Sequence, residues 1–218
     1  MQTQTAVVLG ATGMVGGSLL QQLLHNDLFS AVRILVRKPV SLQHPKLEVK
    51  QVKFDDAESF NDGLGRADSI FCCVGTTQKK VKNDKSAYRK VDYDIPVTAA
   101  QLAVKNGFRK YLLVSAIGAN PNSANFYLQL KGSVEEDISS LSFESTHIFR
   151  PSLLMGNRNE ERTGEKIAHI VMPLLSWTMI GPLRKYRPIT VEKVARSMMN
   201  AALSPLTGLH VYQYDQMK

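Results

Sequence analysis

The stretch Thr5–Gly17, TAVVLGATGMVGG, indicates the fold more clearly than any other part of the chain. Its first half, Thr5–Leu9, is short, apolar and rich in β-branched residues, which is typical of a buried strand. Apolar residues then recur at helical spacing from Met14 to Leu24. A strand, a glycine turn and a helix therefore follow one another directly.

The turn carries Gly10, Gly13 and Gly16 in a G-x-x-G-x-x-G spacing. In a dinucleotide-binding turn the first glycine permits the sharp bend, the second lets backbone approach a pyrophosphate, and the third lets helix and strand pack closely. The alternative is that these glycines only shape a turn, but the strand and helix around them favour cofactor binding. Because the helix N-terminus would face the anion, we expect backbone N–H donors at Thr12, Gly13, Met14 and Val15.

The rest of the chain continues the alternation of strands and helices. Further strands are predicted at 32–36, 47–54, 69–74, 111–115, 146–149 and 209–212, and helices at 86–106, 125–140, 165–170 and 191–203. Near-continuous apolar strands separated by crossovers indicate a Rossmann-like, doubly wound α/β fold, with a mostly parallel sheet and helices on both faces. We predict one domain over 1–218, in which 151–218 form a small C-terminal appendage over the cleft, with the last helices and strand.

Composition excludes several classes of protein and leaves the ligand open. Apolar residues make up 44% and charged residues 21% of the 218 residues, which argues against disorder, collagen-like repeats and coiled coil. Lys and Arg number 27 against 19 for Asp and Glu, a formal net charge of +8. This excess suits nucleic acid, anionic lipid or a phosphate-bearing cofactor equally, so the choice among them falls to the motifs.

The second strand ends in Arg37 and Lys38, where an acidic residue would accept the ribose hydroxyls of NAD. A guanidinium matches a 2′-phosphate, so the sequence favours NADP(H) over NAD(H), although a solvated basic pair is the plain alternative. Asp55, after the third strand, is a candidate acceptor for the adenine amino group. Asp55 and Asp56 could equally be caps of the helix that follows.

A second constellation carries the chemistry. Tyr127 and Lys131 are four residues apart in a predicted helix, so they share a face, and Ser115 ends the fifth strand. A lysine ammonium beside a phenol favours the phenolate, which lets the tyrosine exchange a proton with a carbonyl or an alcohol during hydride transfer. The serine hydroxyl can orient the substrate oxygen. Taken alone the pattern is weak, but its place at the carboxyl side of the sheet favours a catalytic site.

These motifs, read together, resemble the atypical short-chain dehydrogenase/reductase superfamily, and more narrowly the Tat-interacting-protein-like oxidoreductases and their bacterial relatives. The resemblance covers nearly the whole chain and rests on GATGMVGG, FCCVGTT (71–77), VSAIGAN (114–120), FYLQLKG (126–132) and FRPSLLMGNRNEERTGE (149–165). It implies Tyr127 as proton donor, Lys131 on the nicotinamide ribose, and Ser115 as the third member. It also implies NADPH contacts from Thr12, Gly13, Met14, Val15, Arg37, Lys38, Val74, Gly75, Leu154 and Arg162.

Two departures from the family pattern bear on function. Lys38 stands where a second arginine is more usual, which loosens the expected clamp on the 2′-phosphate. The region after Pro151 is shorter than the substrate domain of extended family members. Two functions follow: an NADPH-dependent reductase of a small carbonyl compound, or an NADP(H)-binding regulatory or interaction protein with little or no turnover.

The FRP segment continues into a predicted flap, Pro151–Glu165, that closes on the nicotinamide half of the cofactor. In this prediction Leu154 lies against the ring region and Arg162 reaches a phosphate. Pairing of Arg162 with a nearby glutamate on the surface is the alternative.

Other signals give negative expectations. The five histidines show no ligand spacing, and Cys72 and Cys73 read as buried strand residues on opposite faces, so no metal site is expected. The lysines of the 76–85 loop read as a solvated loop, which makes nucleic acid an unlikely partner. The apolar stretch 170–180 is too short for a membrane span. The low cysteine count and the lack of a leader predict a cytoplasmic protein, as a monomer or homodimer.

Overall fold

The computed structural model describes residues 3–156 and 181–218. Its strands are β1 (Gln4–Leu9), β2 (Phe29–Val36), β3 (Leu47–Gln51), β4 (Ser69–Cys72), β5 (Lys110–Val114), β6 (Ser145–Phe149), β7 (Leu154–Met155), β8 (Ile189–Thr190) and β9 (Gly208–Tyr212). Seven of them form one sheet in the order β3-β2-β1-β4-β5-β6-β9, in which every pair is parallel. The predicted Rossmann-like fold is confirmed.

The helices are α1 (Met14–Leu24), α2 (Ala57–Leu64), α3 (Lys85–Arg89), α4 (Ile95–Lys105), α5 (Phe126–Ser139) and α6 (Val191–Leu203). A π-helical turn, Lys90–Asp94, joins α3 to α4, so the predicted helix at 86–106 exists with a widened turn inside it. A 3₁₀ helix, Gly181–Tyr186, precedes β8. The predicted helix at 165–170 lies outside the described residues.

Two predicted strands are longer than the real ones. β3 ends at Gln51 because its last partner is Val36 at the end of β2, and the chain then turns into the cap of α2. β4 ends at Cys72, and Cys73 and Val74 leave the ladder beside the glycine turn. Both changes move residues from the sheet into loops at its carboxyl edge.

The core has two layers, one on each face of the sheet. Helices α1 and α6 cover one face, while α2, α4 and α5 cover the other. Successive strand residues alternate between the layers: Val8 belongs to the first, and Val7 and Leu9 belong to the second. Cys72 and Cys73 likewise face opposite layers, as predicted. Burial on both faces explains why the strands read as continuous apolar runs.

Helices α1 and α6, far apart in sequence, pack against each other. Gln22 of α1 donates its side-chain amide to the Glu192 carbonyl at 3.1 Å, and Leu19 and Leu23 share a core with Val194 and Met198 of α6. β9 extends the sheet beyond β6, so the last helix and strand belong to the body of the domain. Within 3–156 and 181–218, no helix combines the length and apolar character needed to cross a membrane.

Candidate active site

Strand order reverses direction between β1 and β4, and the crevice at their carboxyl ends is where parallel sheets bind ligands. The glycine turn lies there. Gly10 has φ +79°, and a Cβ on it would lie 2.6 Å from the Cys73 carbonyl carbon. A Cβ on Gly16 would lie 2.2 Å from the Gly10 carbonyl oxygen. Only glycine fits at either position, so the turn is pressed closely between α1 and the loop after β4.

Among the described residues, no side chain caps the N-terminus of α1. Gly13 is its N-cap residue and makes no side-chain hydrogen bond, and the first turn carries no acidic residue. The Gly13 N–H donates to the Gly10 carbonyl at 2.9 Å and closes the turn. Helix geometry leaves the N–H groups of Met14 and Val15 without an intrahelical partner, which makes them the donors that face the crevice.

Residues predicted to hold the adenosine half lie beyond β2 and β3. Arg37 and Lys38 follow β2 directly, and both are exposed. Asp56 is the cap of α2, because its carboxylate accepts from the N–H groups of Glu58 and Ser59 at 3.1 Å each. Asp55 is also exposed, and it is not the cap of α2.

The remaining predicted cofactor contacts are only partly described. A Cβ on Gly10 would lie 2.9 Å from the Val74 nitrogen, which puts Val74 and Gly75 directly beside the glycine turn. Leu154 lies in β7 and packs on the α1 side of the core. Arg162 and residues 157–165 of the predicted flap lie outside the described residues.

Tyr127 and Lys131 lie on α5, whose start is fixed by Asn125. The Asn125 side chain accepts from the N–H groups of Tyr127 and Leu128 at 3.0 and 3.2 Å. The helix is also pressed against the loop after β5, since a Cβ on Gly132 would lie 2.2 Å from the Pro121 nitrogen. Both contacts position the two side chains at the carboxyl edge of the sheet.

Lys131 is buried and paired with Asp92 of the π-helical turn. Its Nζ lies 3.0 Å from Asp92 Oδ1, and the two side chains are only 5% and 1% exposed. Burial is the largest influence on the Lys131 ammonium and lowers its pKa, but attraction to Asp92 and Tyr127 outweighs it, so the pKa lies above the ordinary 10.5. Tyr127 therefore lies close to a lysine that stays protonated.

Ser115 is engaged elsewhere. Its hydroxyl donates to Glu135 Oε1, and Arg150 donates its Nε to both oxygens of Glu135 at 3.0 and 3.1 Å. Glu135 lies one turn beyond Lys131 on the same face of α5. The structure thus brings Tyr127 and Lys131 together, and it turns the Ser115 hydroxyl toward a charged pair.

Sequence reasoning missed Asp92, Glu135 and Arg150. The sequence did carry a signal for Asp92, namely its place on one face of the predicted helix. That face also holds Tyr88 and Pro96, each four residues away, and all three residues are buried. A carboxylate on the apolar stripe of a helix needs a buried partner. Glu135 gave the same signal among Leu130, Val134 and Ile138 of α5.

A hollow of about 530 Å³ lies at the opposite, amino end of the sheet, lined by Thr5, Arg66, Ala67, Asp68, Lys105, Asn106 and Gly107. None of the predicted site residues within 3–156 lines it. Since parallel sheets bind ligands at their carboxyl ends, we locate the candidate site at the glycine turn and α5.

Residues 10–172 match the model of a family described as NAD(P)H-binding, which covers most of the chain and begins at the first glycine of the turn. The chain belongs to the NAD(P)H-binding family. The turn of this family member fits such a cofactor, because Gly10 and Gly16 form a cradle that a Cβ would fill, beside an open helix N-terminus.

Relatives and solved structures agree with this membership. Protein HTATIP2 of Rattus norvegicus is 32% identical over 213 residues, which cover 95% of this chain and 85% of that protein. Protein FMP52, mitochondrial, of Coccidioides immitis is 30% identical and covers 94% of this chain and 87% of its own. The resemblance to the Tat-interacting-protein-like group is confirmed. Uronate dehydrogenase of Agrobacterium tumefaciens shares the fold at TM-score 0.70 and 16% identity, over 97% of this chain and 76% of that enzyme.

The prediction of a cytoplasmic protein is contradicted by these relatives. FMP52 proteins from several fungi are named mitochondrial. A low cysteine count argues only against an oxidising compartment and does not distinguish the cytoplasm from a mitochondrion.

Proposed function

We propose that this NAD(P)H-binding protein is an NADP(H)-dependent oxidoreductase of the atypical short-chain dehydrogenase type that reduces a small carbonyl compound. The observation that carries the proposal is the buried Lys131, paired with Asp92 and one helical turn from Tyr127, at the same edge of the sheet as the glycine turn. A phenol next to a permanent positive charge is suited to proton transfer at a carbonyl oxygen.

The chain offers a set of groups for the cofactor. In this proposal the N–H groups at the start of α1 hold the pyrophosphate, and Arg37 and Lys38 hold the 2′-phosphate. Asp55 accepts from the adenine amino group. Further contacts come from Val74, Gly75, Leu154 and Arg162. The cofactor, when bound, supplies the hydride.

Tyr127 is the proton donor in this reaction. As negative charge develops on the carbonyl oxygen, the Tyr127 hydroxyl gives its proton to that oxygen, and the Lys131 ammonium stabilises the phenolate that remains. Ser115 orients the substrate oxygen in the predicted scheme. To donate to a carbonyl oxygen, its hydroxyl must first rotate away from Glu135; in its present direction it can accept from the hydroxyl of the alcohol product.

A panel of aldehydes, ketones and quinones, assayed by NADPH oxidation, tests the reaction. With any substrate found, Tyr127→Phe should lower kcat by about 10²-fold or more, since general acid catalysis contributes this much, while the affinity for NADPH changes little. Tyr93→Phe is the matched control, because the Tyr93 hydroxyl donates to Asp137 on the flank of α5. Equal losses in the two variants would remove Tyr127 from the mechanism.

Cofactor preference is tested separately by calorimetric titration with NADPH and NADH. Arg37→Asp should weaken NADPH binding about tenfold or more and leave NADH nearly unchanged, because only NADPH carries the 2′-phosphate. Lys105→Asp makes the same charge change on an exposed residue at the far end of α4. A similar loss in both variants would mean that bulk charge, and not Arg37, attracts the cofactor.

One observation favours the second function, an NADP(H)-binding regulatory protein with little turnover. The Ser115 hydroxyl already has an acceptor in Glu135, so it is not held ready to donate to a carbonyl. Tight NADPH binding with no NADPH oxidation across the whole panel would support this function over the reductase.

A further inference from the structure

Asp92, in the π-helical turn between α3 and α4, contacts both α5 and the loop that follows β4. Its Oδ1 is 3.0 Å from Lys131 Nζ on α5, and its Oδ2 accepts from the Thr76 N–H at 2.7 Å in the loop after β4. A Cβ on Gly75 would lie 3.6 Å from Oδ1. One carboxylate therefore joins the lysine to the loop that carries two of the predicted cofactor contacts.

We propose that Asp92 is a positioning residue for the reaction, which fixes the Lys131 ammonium against Tyr127 and locks it to the Gly75–Thr76 loop. The proposal rests on the proposed function for the reaction itself. Asp92 is 1% exposed and each of its oxygens meets a donor of the chain, so it acts through Lys131 and not on the substrate.

The two partners of Asp92 require a carboxylate. A lysine ammonium and a backbone N–H are both donors and can never accept. An asparagine could present its oxygen to one of them only, and its NH₂ group would then face the other donor. The position thus calls for an ionised aspartate, which distinguishes it from a buried polar residue that serves packing alone.

The π-helical turn gives Asp92 its direction. Lys90–Asp94 contact α5, and the wider turn interrupts an otherwise regular α-helix at the one segment that carries the buried carboxylate. Such turns are rare and occur frequently at functional sites. Asp94, in the same turn, is half-exposed and pairs with Arg89 at 3.6 Å, so it offers a control that carries the same charge.

The first experiment follows the protonation of Lys131 and needs no substrate. Lysine labelled with ¹³C at Cε is titrated by NMR in the whole protein without cofactor, with the Lys131 signal assigned by its loss in Lys131→Arg. The charged or titratable groups that face Lys131 are Asp92, Tyr127 and Cys72. In the unmodified protein we expect the pKa of the Lys131 ammonium to lie above that of an ordinary lysine, because Asp92 stabilises the charged form.

In Asp92→Asn the lysine keeps its burial and loses its acidic partner, so its titration should move down by at least about one pH unit. Asp94→Asn should titrate like the unmodified protein. An unchanged titration in Asp92→Asn overturns the proposal. If that variant does not fold, titration of Lys131 below the ordinary lysine pKa of 10.5 in the unmodified protein overturns it equally, because burial alone lowers this pKa and pairing with Asp92 raises it.

The second experiment uses any substrate that the panel provides. In Asp92→Asn the alkaline limb of the kcat/KM profile should move to lower pH by about the same amount as the Lys131 titration, since the neutral lysine no longer supports Tyr127. A structural role alone would lower the rate equally at every pH, which would contradict the proposal. If no substrate turns over, the proposed function fails, and the NMR titration still decides whether Asp92 controls Lys131.

Discussion

Within 3–156 and 181–218 two lysines are buried, one near each end of the sheet, and they are held by different partners. Lys131, at the carboxyl end, is paired with a carboxylate, and its pKa is raised. Lys110, at the amino end of β5, donates to the carbonyls of Ala202 and Ser204 at 2.7 and 2.5 Å, and burial lowers its pKa. The second lysine satisfies the C-terminal carbonyls of α6. The first lies beside a tyrosine, and we propose that it serves chemistry while the second serves architecture.

The same contrast extends to neighbouring residues. Arg150, near Lys131, is held by the carboxylate of Glu135. His147, near Lys110, is hydrogen-bonded to the hydroxyls of Tyr212 and Ser145, and its ring stacks on His210. Lys131 and Arg150 thus have acidic partners, whereas Lys110 and His147 are hydrogen-bonded to neutral groups. Burial alone therefore does not distinguish a basic side chain of a candidate active site from a structural one. The two lysines differ in the charge of the group that each one binds.

Exchange of each lysine for methionine separates the two roles most sharply. Lys131→Met should lower kcat by about 10²-fold or more, because Tyr127 loses its supporting charge. Lys110→Met should leave kcat within about twofold and lower the free energy of unfolding by about 2 kcal/mol, since two carbonyls lose their donor. Steady-state kinetics and urea unfolding of both variants measure this. A lower kcat in Lys110→Met, with an unchanged free energy of unfolding, would contradict the different roles given to the two lysines.

The glycine turn gives a second, smaller effect within α1. Gly16→Ala should weaken NADPH binding about tenfold or more, since a Cβ would lie 2.2 Å from the Gly10 carbonyl and the helix must shift. In the neighbouring Gly17→Ala, the Cβ would lie 3.4 Å from the Ala11 carbonyl, so affinity should hardly change. Fluorescence titration with NADPH compares them. Equal affinities would mean that close packing at Gly16 does not form the cofactor cradle.

Acid sensitivity at the amino end gives the smallest effect. Burial first, then His210 and Lys110, lower the pKa of His147 from 6.5 to about 4. Between these two pH values His147 is protonated in the unfolded chain and neutral in the folded one. The free energy of unfolding is therefore highest above about pH 6.5 and falls as the pH drops toward 4. We expect a loss of about 2 kcal/mol between pH 7 and 4.5.

His147→Gln should remove most of that loss, whereas His25→Gln, at an exposed position, should retain it. Urea unfolding at the two pH values measures the difference. Equal acid sensitivity in the two variants would show that another group titrates.

The fold was predictable because strands buried on both faces and a glycine turn leave local patterns. The π-helical turn was not predictable, because Asp92 in this turn binds Thr76 and Lys131. These residues lie far from each other in the sequence and meet only in the folded chain. Tyr127 and Lys131 could be paired from helical spacing alone. The partner of Ser115 could not, because Glu135 and Arg150 meet it only when α5 and β6 are assembled.

The packing of α1 on α6 has a consequence for synthesis of the chain. Gln22 and the Glu192 carbonyl that it binds are 170 residues apart, so the side of α1 that packs on α6 lacks this cover until the last helix leaves the ribosome. At ordinary elongation rates this takes roughly 10–35 s. During that interval Leu19 and Leu23, which are fully buried in the finished protein, have only the strands of the sheet to pack against.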